Sequence, residues 1–174
     1  MNDTFDPNTN DTDNHNADPV STEQNLNSAQ ILAMLLQGFN GTPYHRHIGL
    51  KFNHDAQNGL QAHFEKKPEL MGNMARGMVH GGLISAVFDA LGGVICSIEL
   101  IEKYKHFEQK QGLRKLNRLC TVSLNLNYYA PARAESFIAK GKVIYQGSSI
   151  FHIAMEMHDN TGKLIAGANG SYMY

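Results

Sequence analysis

Residues 77–98, from Gly77 to Ile98, read GMVHGGLISAVFDALGGVICSI, and in these 22 residues the one formal charge is Asp89. About 20 apolar residues suffice to cross a bilayer, but five glycines, His80 and a central carboxylate argue against a membrane span. A helix that is apolar almost all round belongs at the centre of a fold. At about 100° per residue, Leu83, Ile84, Val87, Leu91, Val94, Ile95 and Ile98 share one face. Asp89 falls nearly opposite, among Ser85, Ala86, Gly92, Gly93 and Cys96. Small residues let another backbone approach closely. An acid there is either tied to backbone amides or a functional carboxylate, whose desolvation would raise its pKa and suit it to general-base work near neutrality.

The rest of the chain is read around that helix. Ser28 is placed to cap a short helix over Ala29–Phe39, with Ile31, Leu32, Leu35 and Leu36 on one stripe, and Asn40-Gly41 with Pro43 to end it. Residues 44–52 and 59–66 read as two strands about a turn at His54–Gly59, and 67–78 as a loop. After the helix, expected over 80–101, comes a polar, basic connector over 102–118. Four strands follow at about 119–129, 135–146, 149–159 and 163–173, broken at Ala130-Pro131, Gln146-Gly147 and Asp159–Gly162. Short turns make the last three an antiparallel meander. The fold class is α+β, an antiparallel sheet of about six strands around one long helix.

Charge divides the chain. Its net charge is −1, but residues 1–27 hold six acids and no Lys or Arg, leaving ten acids against fifteen bases in 28–174. The leader also has seven Asn and five Asp, a composition that cannot offset its ordering entropy, so disorder is expected there. The remaining length suits a single domain, 28–174. A near-neutral whole argues against nucleic acid as a partner. Cys96 and Cys120 sit in apolar runs and read as reduced, buried thiols. No basic start followed by an apolar run opens the chain, so a cytoplasmic setting, away from membranes, is the default expectation.

His80-Gly81-Gly82 opens the helix. Unpaired N–H groups and the positive end of the dipole make a helix start favourable to negative charge. The glycines serve either tight packing or the approach of a substrate carbonyl to the backbone, as in an oxyanion hole. Gly81 and Asp89 are eight residues, or ~12 Å, apart along the axis, too far for one acyl carbon to use both. Two antiparallel copies remove the difficulty, so the spacing predicts a homodimer with two shared sites.

The run Gly77–Gly82 with Asp89 nine positions after His80, the stretch Thr121–Pro131 (TVSLNLNYYAP), and the ending Gly162–Ala166 together resemble the hotdog-fold acyl-CoA thioesterases of the phenylacetate-pathway type, in the 4-hydroxybenzoyl-CoA thioesterase superfamily. The resemblance covers about 44–173. It implies a hotdog fold, homodimers or dimers of dimers, acyl-CoA as substrate and hydrolysis of its thioester without a cofactor or metal. Carried over, Asp89 is the general base or nucleophile, the Gly81 N–H holds the thioester oxygen, His80 shapes that turn and Thr121 helps position water. Relatives often carry Asn three residues before the motif's glycine. Here that position is Met74, and Asn73 is one residue further back. Some hotdog domains only bind acyl-CoA as sensors, which is the alternative reading.

The basic surplus lies mostly in the connector, with Lys103, Lys105, Lys110, Arg114, Lys115 and Arg118 against Glu102 and Glu108. It is the expected place for CoA phosphates. Further candidates for substrate or CoA are Arg76, Gly82, Arg133, Lys140, Lys142 and the turn Gly147-Ser148-Ser149. Met71, Met74 and Met78 are candidates to line an adaptable acyl pocket. His45 and His47 fall on one face of the expected strand 44–52, but no Cys or acid stands at ligand spacing, so no metal site is expected.

Overall fold

The computed structural model describes residues 27–104 and 109–174. The acidic leader, apart from Asn27, and Lys105 and Glu108 of the connector lie outside the described residues. Helix α1 (Ser28–Gly41) is capped by Asn27 rather than Ser28. The Asn27 side chain accepts from the Gln30 N–H, and the Gln30 side chain accepts in return from the Asn27 N–H, a reciprocal cap that satisfies two free donors. Pro43 does not end helical structure but starts a second helix, α2 (Pro43–Ile48), at a position where its missing N–H costs nothing. The expected strand over 44–52 is thus mostly helical, and only its last residues join β1 (Lys51–Asp55). His45 and His47 consequently sit two apart on a helix, where they do not share a face. Among the described residues, no group of His, Cys, Asp and Glu can hold a metal.

Strand β2 (Gly59–Glu65) follows, then a small hairpin of β3 (Met71–Asn73) and β4 (Met78–Val79) within the segment expected as a loop. Helix α3 (Gly81–Tyr104) is the central helix, and α4 (Gln109–Leu116) gives the connector a helical turn that its polar composition concealed. Strands β5 (Cys120–Tyr128), β6 (Ser136–Gln146), β7 (Ile150–Asp159) and β8 (Leu164–Met173) complete the order. The main sheet runs β1-β2-β6-β7-β8-β5 and is antiparallel throughout.

This sheet wraps α3, which packs on β2, β5, β6, β7 and β8. Leu83, Ile84, Val87, Leu91, Val94 and Ile95 are buried as their spacing required, and meet Phe64, Phe137, Phe151, Ile153 and Met157 from the sheet. A helix long and apolar enough for a membrane is here the core of the fold. The side chains of α1's stripe, Ile31, Leu32, Leu35 and Leu36, are half-buried, and α1 lies on α3.

The small-residue face of α3 is only partly open. Tyr172 of β8 is 1% exposed and lies against Gly92, where a Cβ would stand 2.0 Å from its hydroxyl oxygen. Gly92 and Cys96 are therefore covered within the chain, whereas Asp89 is exposed and Ser85, Ala86 and Gly93 are half-buried. Cys96 is buried as expected, with burial first and the Glu99 charge second pushing its thiol up to about 12. Cys120 is exposed, because it begins the edge strand β5.

Candidate active site

The Gly77–Gly82 turn is held from several sides. Gly77 takes the left-handed conformation, φ 59°, that closes the 3₁₀ turn Met74–Arg76, and glycine adopts it without steric cost. The Val79 N–H donates to the Ala132 carbonyl and the His80 N–H to the Leu70 carbonyl, both at 2.9 Å. A Cβ at Gly72 would stand 2.7 Å from the His80 Cα, so glycine there lets the hairpin back against His80. Asn73 is engaged locally, its side chain accepting from the Arg76 N–H at 3.0 Å.

At the start of α3 the donors divide. The Gly82 N–H donates to His80 Nδ1 at 2.9 Å, and the Leu83 N–H donates to the His80 carbonyl at 3.0 Å. His80 thus caps the helix, and Gly82 is not a free donor. Gly81, at the first helical position, has no intrahelical carbonyl within reach of its N–H. Tyr128, to which the sequence reading gave no role, braces this turn. Its hydroxyl donates to the Gly81 carbonyl at 2.9 Å and lies 3.0 Å from Ser85 Oγ. Gly81, Gly82, His80, Arg76, Arg133 and Tyr128 line one cleft of about 580 Å³, with Met78 in its wall. Met74 is exposed and stands outside it.

Asp89 lines a different cleft, of about 380 Å³. The Thr121 hydroxyl donates to Asp89 Oδ1 at 2.7 Å, which joins two candidates 32 residues apart. The desolvation expected of Asp89 is absent within one chain, since the carboxylate is exposed. Its helix turn is fixed from below: the Tyr172 hydroxyl lies 3.4 Å from the Phe88 and Asp89 carbonyls, to which it donates. Burial first and the Asp89 charge second push the Tyr172 pKa well up, so it stays a neutral donor. The cleft walls are Phe39, Tyr44, His45, Leu116, Leu119 and Cys120, and its floor is Ala86, Ala90, Gly93 and Ser97 of α3. His45 is buried, donates from Nδ1 to the Phe39 carbonyl at 2.7 Å and packs edge-on to Phe52. These wall residues carry no sequence signal, because they meet only in the tertiary fold.

The basic candidates do not gather at one site, and Lys140 and Lys142 of β6 line a third cleft. Arg76 and Arg133 come together in the Gly81 cleft. Lys103 and Lys115 instead lie against the rings of Tyr104 and Tyr174. Tyr174 braces the turn Gly147-Ser148-Ser149, its hydroxyl donating to the Gly147 carbonyl and its N–H to that of Ser149. That turn, Lys103 and Lys115 line neither cleft.

Comparison with known proteins agrees with this architecture. The family model for the thioesterase superfamily matches residues 76–166, from the Gly77–Gly82 turn to β8. The chain is 26% identical over 131 residues to the medium/long-chain acyl-CoA thioesterase YigI of Escherichia coli K12, covering 75% of this chain and 84% of that protein. The crystal structure of a Shewanella oneidensis protein related to the thioesterase superfamily superposes with a TM-score of 0.78 at 28% identity, covering 84% of this chain and 96% of that one. The PaaI protein from the phenylacetic acid degradation operon of E. coli shares the fold, with a TM-score of 0.62 at 13% identity, over 84% of this chain and 92% of its own. With one helix wrapped by an antiparallel sheet and a family match that spans more than half its length, the chain belongs to the thioesterase superfamily and has its hotdog fold.

Proposed function

We propose that this thioester hydrolase cleaves acyl-CoA to a free acid and CoA, in a site shared by two protomers. The observation that carries the reading is the Thr121–Asp89 hydrogen bond at 2.7 Å, which orients an exposed carboxylate at the mouth of a cleft. The other cleft holds the complementary element, the Gly81 N–H at a helix start. The catalytic unit is residues 28–174.

Strand β5 supports the sharing. It is one of the sheet's two edges, with Val122 and Tyr128 exposed on it, and an unpaired edge is a template for another strand. Thr121 at its start lines the Asp89 cleft, and Tyr128 at its end lines the Gly81 cleft. Antiparallel pairing of β5 with its own copy about the strand centre sets the start of one against the end of the other. Each Asp89 cleft then adjoins the partner's Gly81 cleft, a distance of ~23 Å along one strand being closed by symmetry.

In such a site Asp89 takes a proton from water, whose oxygen bonds to the thioester carbon. The Gly81 N–H receives the charge that develops on the carbonyl oxygen. As the tetrahedral intermediate collapses, the carbon–sulfur bond breaks, and the proton held by Asp89 is returned to the CoA thiolate. Charge sorts the substrate. Arg76 and Arg133 line the Gly81 cleft, whereas among the described residues no Lys or Arg lines the Asp89 cleft. The CoA phosphates therefore lie on the arginine side and the acyl group beside Asp89.

A panel of acyl-CoAs with thiol release as the readout tests the activity; no release from any member would overturn it. Thr121→Val removes a hydrogen bond to a charged group while keeping the side chain's shape, and is expected to lower kcat about 10–100-fold, against no change if Thr121 only fills space. Arg76→Gln with Arg133→Gln is expected to raise KM roughly tenfold with kcat held, and to flatten the salt dependence of KM. A fall in kcat at constant KM would move the phosphates elsewhere.

A further inference from the structure

We propose that Gly93 sets the length of acyl chain the Asp89 cleft admits, an inference that rests on the acyl-CoA reading of this cleft. Glycine in a helix interior is unfavourable, so its presence needs a reason. Two adjacent glycines in α3 have different ones. At Gly92 a Cβ would collide with Tyr172, whereas at Gly93 a Cβ would meet nothing within 4 Å. Packing inside the chain does not require Gly93. What lies over it is the cleft.

The cleft runs along α3. Ala86, Asp89, Ala90, Gly93 and Ser97 follow one another along one strip of the helix, with Thr121 against Asp89. Asp89 to Gly93 is ~6 Å along the axis and Asp89 to Ser97 ~12 Å, a medium alkyl chain's reach, with Gly93 midway. Phe39, Tyr44 and His45 from α1 and α2 wall one side, and Leu116, Leu119 and Cys120 the other. Phe39, Tyr44 and His45 stand outside the segment matched by the family model. Ser97 closes the far end without projecting into it, since its hydroxyl is turned back to donate to the Gly93 carbonyl at 2.8 Å. A chain leaving the thioester carbon beside Asp89 passes over Gly93 before it reaches Ser97. A side chain at 93 blocks it there.

The test compares wild type, Gly93→Ala and Gly93→Leu on straight-chain acyl-CoAs from butanoyl to hexadecanoyl. The ratio of kcat/KM for dodecanoyl-CoA to that for butanoyl-CoA is expected to fall roughly a hundredfold in Gly93→Leu, the order seen when a few methylenes lose their pocket, and several-fold in Gly93→Ala. Because its new methyl enters open space, Gly93→Ala is also expected to raise Tm by a few degrees. A parallel series of non-hydrolysable thioether analogues, read by calorimetry, is expected to show the same length-dependent loss of affinity in Gly93→Leu. An unchanged length profile in both series, or an equal loss at all lengths accompanied by a change of oligomeric state, would overturn the assignment and make Gly93 a contact residue. Length-dependent thioether binding with no thioester turnover would support Gly93 as the gate while refuting hydrolysis.

Discussion

Asp89→Asn is expected to lower kcat/KM on the best acyl-CoA by about 10³–10⁴, at the upper end of what one acid–base group contributes. The substitution is nearly isosteric. An Asn oxygen still accepts from Thr121, whose hydroxyl lies 2.7 Å from Asp89 Oδ1, and the helix turn keeps its tether to Tyr172. Only the capacity to take a proton from water is removed. KM and Tm should therefore stay close to wild type while kcat collapses. Steady-state kinetics with thermal melts separates the cases. A variant that retains wild-type kcat removes Asp89 from the chemistry, and one that loses kcat together with several degrees of Tm makes it structural.

Gly92→Ala is expected to destabilise the protein by about 3 kcal/mol, roughly 6–12 °C in Tm. A Cβ at this position would stand 2.0 Å from the Tyr172 hydroxyl oxygen and 2.2 Å from its Cζ. Tyr172 has little room to retreat, because its ring also lies against Gly170, where a Cβ would come within 2.6 Å of it. Pushing the ring out breaks its hydrogen bonds to the Phe88 and Asp89 carbonyls and shifts the turn that presents the carboxylate, so activity falls as well. Neighbouring glycines on one helix should thus respond to alanine with opposite signs in a thermal melt. A Gly92→Ala melt as high as wild type would mean that Tyr172 has another place to go.

The central helix and the four strands after it are legible because their patterns are long and their breaks strong. A stretch of 22 residues with one charge has few homes other than a core, and Gln146-Gly147 and Asp159–Gly162 fall where the sheet turns. Tyr44–Ile48 reads as a strand but folds as a helix, because a short mixed segment has no decisive period and Pro43 either stops a helix or starts one. Within the site, Asp89 stands out as a lone charge, and His80-Gly81-Gly82 as a helix start. The finding that Gly82 N–H is consumed by His80 needs side-chain geometry. So does the role of Tyr128, and so does the coverage of Gly92 by a tyrosine 80 residues away. Asp89 was expected to be desolvated, yet one chain leaves it exposed. In the proposed assembly, the partner's Gly81 cleft supplies that cover.

In the proposed assembly each site takes Asp89 from one protomer and Gly81 from the other. Gly81→Pro deletes the oxyanion N–H at a helix position that tolerates proline, and Asp89→Asn deletes the base. Each variant alone is expected to be inactive as a homodimer. Co-expressed under two affinity tags and purified as the mixed dimer, they place both defects in one site and leave the other intact. The mixed dimer is predicted to recover about half of the wild-type kcat. A mixed dimer as inactive as its two parents would contradict a site built across the interface.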